Sequence, residues 1–600
     1  MDSQRIRATD VARAAARVLP DFPRMLRGAL AMSWMGADSA QSIGLLLEQR
    51  AREMPHKVAL LFEGESWSYR ELNAHANRIA SVLRECGVRR GDAVGILFEN
   101  RPAVLACVAA VVKLGAVTGM LNPNQRNDAL QHSLNIIAAR VIIVGEECVT
   151  ALEGALPRKK TALTLLWEGE GTAPPRMKNL RTLLRGRSAA APRAVREVRL
   201  GDPCFFIFTS GTTGLPKAAV MTHLRWMRSA WGMGQTAMRL RAEDVLYCPL
   251  PFYHNNALTL AWGAVLVAGA SLAMAPRFSA TRFWSDIRST RATAFVYIGE
   301  LCRYLLNRPP DPADRDHAVR VVIGNGLRAE IWDTFQQRFG IRHICEFYGS
   351  SEGNLVFVNA LGLPRTAGYC PLPYAIVAFD AEAELPLRNA RGFMRRVAPG
   401  EAGLLLMKVS ELTPFDGYTD SAASEARLLH DVFRSGDTWF DSGDLVRELG
   451  FRHIAFVDRV GDTFRWKAEN VASTEVERVL GQRPGVVQAC VYGVQVPHAD
   501  GRAGMAALVL DRPDAFAPGP CARALQKQLP AYAVPRFLRI VPAHETTATF
   551  KIRKVDLKRQ GFDPRAIDDP LWVLLDRDRG YQPLTADIFT RISSGRLRLP

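Results

Sequence analysis

Apolar positions along the chain fall into two alternating rhythms, one at helical spacing and one in short unbroken runs. Leu72, Ala76, Ile79 and Leu83 follow Ser68-Tyr69-Arg70-Glu71, whose hydroxyl and carboxylate stand at capping-box spacing, and Gly87 supplies a stop. Residues 94–98 then read as a strand. Helices over 103–114 and 125–138, each followed by a strand (116–121 and 141–144), continue the alternation and predict a mostly parallel sheet. The stretch 156–199, rich in Pro, Arg and Gly, reads as an irregular excursion. Residues 255–276 carry no charge and would span a bilayer as one helix, but Gly269-Ala270-Ser271 divides them into a buried helix and a strand over 272–275. Lys113 and Gly115 divide 102–121 in the same way. No internal repeat is evident.

With 600 residues, 48% hydrophobic and 23% charged, the chain can bury more than one core. Its net charge of +17, from 77 Lys+Arg against 60 Asp+Glu, is spread along the whole length. That spread argues against a nucleic-acid-binding tail and suits a protein that gathers anionic small molecules or rests on an anionic membrane. The ten cysteines contain no C-x-x-C pair, so neither a disulfide framework nor a zinc site is expected. Residues 28–37 are apolar, but Asp2, Asp10 and Asp21 precede them, which is a poor secretory signal. Val11, Ala14, Ala15, Val18 and Leu19, then Phe22, Met25 and Leu26 among arginines, have two readings. They form either a basic amphipathic face on a membrane or a surface helix packed on its own protein.

The most informative stretch is Phe205-Phe206-Ile207-Phe208-Thr209-Ser210-Gly211-Thr212-Thr213-Gly214-Leu215-Pro216-Lys217. A buried strand runs into hydroxyls and glycines closed by a lysine, which offers free N–H groups, O–H donors and a cation to a polyphosphate. It is not a Walker A loop, because Pro216 precedes the lysine and Ala218 follows it.

The segment Thr209 to Lys217 resembles the phosphate loop of the adenylate-forming enzymes, the superfamily of acyl-CoA synthetases, luciferases and peptide-synthetase adenylation domains. Tyr348-Gly349-Ser350-Ser351-Glu352-Gly353, Asp441-Ser442-Gly443-Asp444, Asp458-Arg459 and Thr549-Phe550-Lys551 resemble further motifs of that superfamily, in the same order, over about 42–563. Within it, 297–306, 324–328, 348–354 and 458–467 look most like the very-long-chain acyl-CoA synthetases, also called fatty acid transport proteins.

The resemblance implies an α/β fold: a large N-terminal adenylation domain (42–460) with mostly parallel sheets and a small mobile α+β domain (461–563). An N-terminal extension (1–41) and a tail (564–600) flank them. It implies ATP, Mg²⁺ and CoA, and a fatty acid activated through acyl-AMP. Ser210, Thr212, Thr213 and Lys217, with Thr209, Gly211 and Gly214 in the loop, would surround the β- and γ-phosphates. Glu352 would hold Mg²⁺ and Ser351 would reach the α-phosphate. Tyr348 and Gly349 beside Gly324-Asn325-Gly326 would take adenine, and Asp444 with Arg459 the ribose. Lys551 would be the catalytic lysine, with Lys554 its competitor three residues on. His254 either borders the acyl pocket or is a packed structural histidine. Departures are Ala468 in place of a glycine near the pantetheine tunnel, Phe550 in place of a glycine, and Gly461 at the hinge, where glycine permits rotation.

The leading function is a long- or very-long-chain fatty acid:CoA ligase in the cytoplasm, with room for peripheral association at the inner face of a membrane. An uptake protein with secondary ligase activity, an acyl-AMP ligase loading a carrier protein, and a bile-acid-type CoA ligase stay open. The oligomeric state is not indicated.

Overall fold

The computed structural model describes residues 5–156, 163–210, 216–380, 383–467, 469–499, 501–546 and 552–600. Two compact units emerge, one from 6–371 with 409–428 and the other mainly from 372–408 with 429–600.

The first unit holds a seven-stranded sheet in the order Lys178–Asn179, Thr164–Glu168, Val141–Gly145, Ala93–Leu97, Val117–Leu121, Pro203–Ser210, Pro216–Thr222. All neighbours are parallel except the final pair, an antiparallel hairpin. Its crossover helix Pro102–Lys113 opens with proline, which is preorganised for a first turn, and every residue of it is buried. That burial includes Lys113, whose ammonium donates to Glu48 Oε1 at 2.5 Å, to Asn77 Oδ1 at 2.6 Å and to Asn73. The cluster clasps three helices: Ile43–Glu53, Tyr69–Glu85 and Pro102–Lys113. The expected irregular excursion over 156–199 is corrected by strand Thr164–Glu168, in parallel register with Val141–Gly145, and helix Leu180–Leu184. Basic and Pro-rich flanks hide five residues of strand.

A second sheet in this unit runs Glu65–Ser68, Val58–Phe62, Ser271–Met274, Val245–Cys248, Ala294–Ile298, Val321–Asn325, His343–Tyr348, with Phe357–Val358 beyond. Its interior pairs are parallel and its two ends antiparallel. The segment 255–276 forms helix and strand as expected, and among the described residues no helix is long and apolar enough to cross a membrane.

Helices Ala8–Val18 and Phe22–Ser33 pack on their own protein through one face. A Cβ on Gly28 would meet Thr236 Oγ1 at 2.6 Å, Arg27 lies over the Trp231 ring, and Asp21 reaches Arg239 and Arg241, each at 3.3 Å. Ala14 and Val18 of the anticipated membrane face are therefore turned inward. Leu19, Phe22 and Leu26 of that same face stay outside, in a row continued by Leu30 and Trp34.

The second unit contains the antiparallel strands Tyr374–Val377, Ala402–Lys408, Thr438–Gly450 and His453–Arg459. A five-stranded mixed sheet follows: Val486–Gln495, Arg502–Leu510, Phe537–Ile540, Leu571–Asp576 and Gly580–Pro583. The tail 564–600 thus supplies two strands and helix Ala586–Ser593.

Candidate functional site

The phosphate-loop hairpin sets Thr209 opposite Lys217 and Ser210 opposite Pro216. Gly211, Thr212, Thr213 and Gly214 lie outside the described residues, as does the side chain of Ser210. Lys217 projects its ammonium over the ring of Tyr418, 5.8 Å from the centroid. The Tyr418 hydroxyl is bonded in turn to Glu352 and Arg427, and burial, reinforced by the Glu352 charge, pushes the phenol up to about 12. The phosphate-loop lysine and the glutamate of the Tyr-Gly-Ser-Ser-Glu-Gly motif, 135 positions apart in the sequence, therefore meet on one tyrosine that sequence reasoning missed.

The turn carrying Glu352 is braced from behind. Arg225, in helix His223–Trp231 directly after the hairpin, donates from Nη2 to the carbonyls of Ser351 (2.9 Å) and Gly353 (2.7 Å). Its Nη1 donates to the Val220 carbonyl at 2.9 Å and lies 3.5 Å from Asp416. One guanidinium thus ties the phosphate hairpin to the backbone on both sides of Glu352. Asn354 Nδ2 donates to the Thr413 carbonyl at 2.8 Å, so segment 409–428 completes this face of the unit.

Tyr348 ends its strand half-buried with its ring edge-on to Phe357, and Gly349 is exposed. Gly324-Asn325-Gly326 ends the neighbouring strand. A Cβ on Gly324 would sit 2.3 Å from the Tyr297 carbonyl, and Gly326 has φ +82°, so both positions need glycine. This loop hangs from Glu346, whose fully buried carboxylate accepts from Gly326 N–H and Leu327 N–H, each at 3.0 Å, and from the Tyr297 hydroxyl at 2.5 Å. Burial outweighs those three donors and pushes Glu346 up to about 8. His254 is half-buried with its ring 4.4 Å from that of Tyr253, just ahead of the π-helical turn Asn256–Ala261. Asn256 Nδ2 donates to Asn325 Oδ1 at 2.8 Å, which brings the His254 segment to the glycine loop.

In the second unit, Asp444 and Arg459 stand opposite each other in adjacent strands with 3.6 Å between their charged groups, and the guanidinium is half exposed. Asp458, beside Arg459, is buried against Ser473 and Thr463, and burial pushes its carboxyl up to about 6. Gly461 is exposed with open space where a Cβ would be, and Lys558 donates to its carbonyl at 2.6 Å and to Asp462 at 2.9 Å. Lys554 donates to Ser473 Oγ at 2.8 Å and to Glu477 at 2.9 Å. Burial works against its charge, but Glu477 and Asp462 overcome that and hold the ammonium well above its ordinary range. Lys554 is thus an internal structural cation. Lys551, Phe550 and Ala468 lie outside the described residues.

Residues 47–415 match the family described as AMP-binding enzyme, and residues 475–551 match the AMP-binding enzyme C-terminal domain. The chain is 47% identical over 592 residues, covering 98% of both sequences, to the medium/long-chain-fatty-acid–CoA ligase FadD6 of Mycobacterium tuberculosis. It is 40% identical to long-chain fatty acid transport protein 2 of Rattus norvegicus, over 92% of this chain and 91% of that one. Among solved structures, the anthranilate CoA ligase AuaEII with anthranoyl-AMP superposes with a TM-score of 0.75 at 22% identity, covering 88% of this chain and 98% of that one. ATP-bound MatB from Rhodopseudomonas palustris gives 0.72 at 22% identity, over 86% and 99% of the two chains. Those two likenesses establish the fold. With the paired lysine and glutamate on the tyrosine, the glycine loop and the two matched domains in order, the chain belongs to the AMP-binding enzyme family, the adenylate-forming enzymes.

Proposed function

We propose that this chain activates a medium- to long-chain fatty acid with ATP and transfers the acyl group to CoA, releasing pyrophosphate and AMP. The observation that carries the reading is the full-length likeness to a medium/long-chain-fatty-acid–CoA ligase. Convergence of Lys217 and Glu352 on Tyr418 supports the chemistry. A carboxylate is a poor acylating agent, so it attacks the α-phosphate of ATP first, and the thiol of CoA then displaces AMP. Negative charge builds on the phosphates during the first step, and Lys217 with the Ser210, Thr212 and Thr213 hydroxyls meets it. Glu352 offers the hard oxygen donor that Mg²⁺ prefers, and the ion neutralises triphosphate charge when bound. Ser351 serves the α-phosphate. Tyr348, Gly349 and the glycine loop take adenine, Asp444 and Arg459 take the ribose hydroxyls, and His254 borders the acyl chain. Lys551 acts in the first half-reaction, and rotation about Gly461 of the domain that begins there removes it before CoA enters.

ATP/pyrophosphate exchange across acids of graded length tests this reading. Each added methylene contributes up to about 0.8 kcal/mol until the pocket is full. kcat/KM should rise steeply from short to long acids and then level off. Equal activity on acetate and palmitate overturns the fatty-acid assignment and leaves adenylation standing.

The exposed row Leu19, Phe22, Leu26, Leu30 and Trp34 favours a second feature, peripheral docking of the N-terminal helices on the cytoplasmic leaflet. Liposome flotation checks it. Leu26→Glu with Leu30→Glu should release the protein from anionic vesicles without changing its exchange activity, and undiminished flotation rejects this face.

A further inference from the structure

Helix His223–Trp231 starts where the phosphate-loop hairpin ends, and its first turn has a rigid base. Thr222 caps it, accepting from the Arg225 N–H at 3.4 Å, and the same hydroxyl donates to Asp416 at 3.2 Å. The next residue, Trp226, is 0% exposed and donates from Nε1 to the Leu258 carbonyl at 3.3 Å, which pins the helix against sliding. From this base the Arg225 guanidinium reaches inward, only 14% exposed.

Each terminal nitrogen of that guanidinium meets two oxygens: Nη2 the carbonyls of Ser351 and Gly353, Nη1 the Val220 carbonyl and Asp416 Oδ2. The first pair fixes the peptide plane that enters Glu352 and the one that leaves Gly353. The plane between them is held as well, because the Gly353 N–H donates to Ser350 Oγ at 2.9 Å. Asp416 opens a run that pairs with the hairpin, Val220 N–H donating to the Gly417 carbonyl at 3.0 Å and Thr419 N–H to the Ala218 carbonyl at 2.9 Å. Between those two bonds lies Tyr418, under the Lys217 ammonium. Three segments distant in sequence therefore meet at one planar group. A lysine would supply the charge but presents its three hydrogens at a single point, so it does not span oxygens on all three. The arrangement uses the shape of the guanidinium, not its charge alone.

We propose that Arg225 is a positioning residue of the adenylation step: it sets where Ser351 and Glu352 stand relative to the phosphate hairpin, and through them how tightly the triphosphate and its magnesium ion are held. The inference rests on the reading that Ser351 serves the α-phosphate and Glu352 the Mg²⁺ ion.

Calorimetric binding of ATP to the full chain at graded Mg²⁺, without fatty acid and hence without turnover, tests it. Arg225→Lys keeps the charge and loses the span, so it should raise the Kd for ATP roughly tenfold and shift half-maximal binding to higher Mg²⁺. Adenosine, which carries no phosphate, should bind as it does to wild type. Hydrogen exchange should quicken at the amides of 350–354. Asp416→Asn, which loosens the anchor of Nη1, should move ATP binding in the same direction by a smaller factor, and it carries the test if Arg225→Lys does not fold. Wild-type ATP affinity in both variants at every Mg²⁺ concentration overturns the proposal. So does an equal loss for ATP and adenosine, which marks a general loosening of the fold. Glu352→Gln separates the two levels of the argument. If it shifts the Mg²⁺ dependence and Arg225→Lys does not, the positioning role alone falls; if Glu352→Gln leaves that dependence unchanged, the reading of the turn falls and the positioning role with it.

Discussion

At the scale of single residues, Glu346 shows how a buried acid can hold a glycine loop. Its folded pKa of about 8 lies above the ordinary 4.5, so the native state retains a proton that the unfolded chain has lost. Stability from this group is complete below about pH 4.5 and declines as pH rises through 8, by at most about 1.4 kcal/mol per pH unit. Glu346→Gln should remove that component while still accepting from one loop N–H. Urea melts between pH 5 and 8.5 should therefore give a flatter curve for the variant, together with a higher KM for ATP. Parallel curves would show that Glu346 is not the titrating group. The two lysines three residues apart separate in the same manner. Lys554 is committed to Glu477 and Ser473, so Lys554→Ala should lower the Tm and leave adenylation largely intact at low temperature. Lys551→Ala should lose on the order of 10² to 10³ in pyrophosphate exchange and still convert supplied acyl-AMP with CoA. Loss of exchange in Lys554→Ala alone reverses the assignment.

At the scale of elements, the Lys113 cluster makes a sharp prediction. Lys113→Met fills the same space but strands the Glu48 carboxylate and the Asn73 and Asn77 amides, so stability should fall by about 3 kcal/mol. Denaturant titration measures it, and a loss under about 1 kcal/mol means the cluster is solvated. These elements also show what a sequence discloses. The crossover helices and parallel strands were legible because their apolar rows are long and their glycine stops clear. Strand Thr164–Glu168 was not, since its five residues sit among proline and arginine. The strand that leads to Thr209 was legible from its unbroken apolar run. Tyr418 and Arg225 were not, because an isolated tyrosine and a helical arginine carry no local pattern, and their roles arise from long-range packing. Asn325 and Asn256 meet for the same reason.

For the whole molecule, boundaries read from motifs and boundaries drawn by packing differ. The segment 409–428 packs with the first unit although 372–408 and 429–600 belong to the second. The tail, which carried no motif, completes the sheet: Leu571–Asp576 pairs with Phe537–Ile540, and Lys467 donates to the Leu599 carbonyl at 3.0 Å. A fragment ending at Asp563 should therefore aggregate or expose dye-binding apolar surface, since Phe537 and Leu538, both 0% exposed, would lose their cover. A monodisperse, protease-resistant fragment counts against that.

The late position of those strands has a consequence for biosynthesis. Emerging from the ribosome at about 5–20 residues per second, the chain cannot finish its first unit until 409–428 has been made, and cannot close the five-stranded sheet until Gly580–Pro583 appears. Strand Phe537–Ile540 waits meanwhile with an open edge, an invitation to pair with another nascent chain. Chaperone demand in the cell should concentrate in that interval, and slow translation over 541–580 would prolong it.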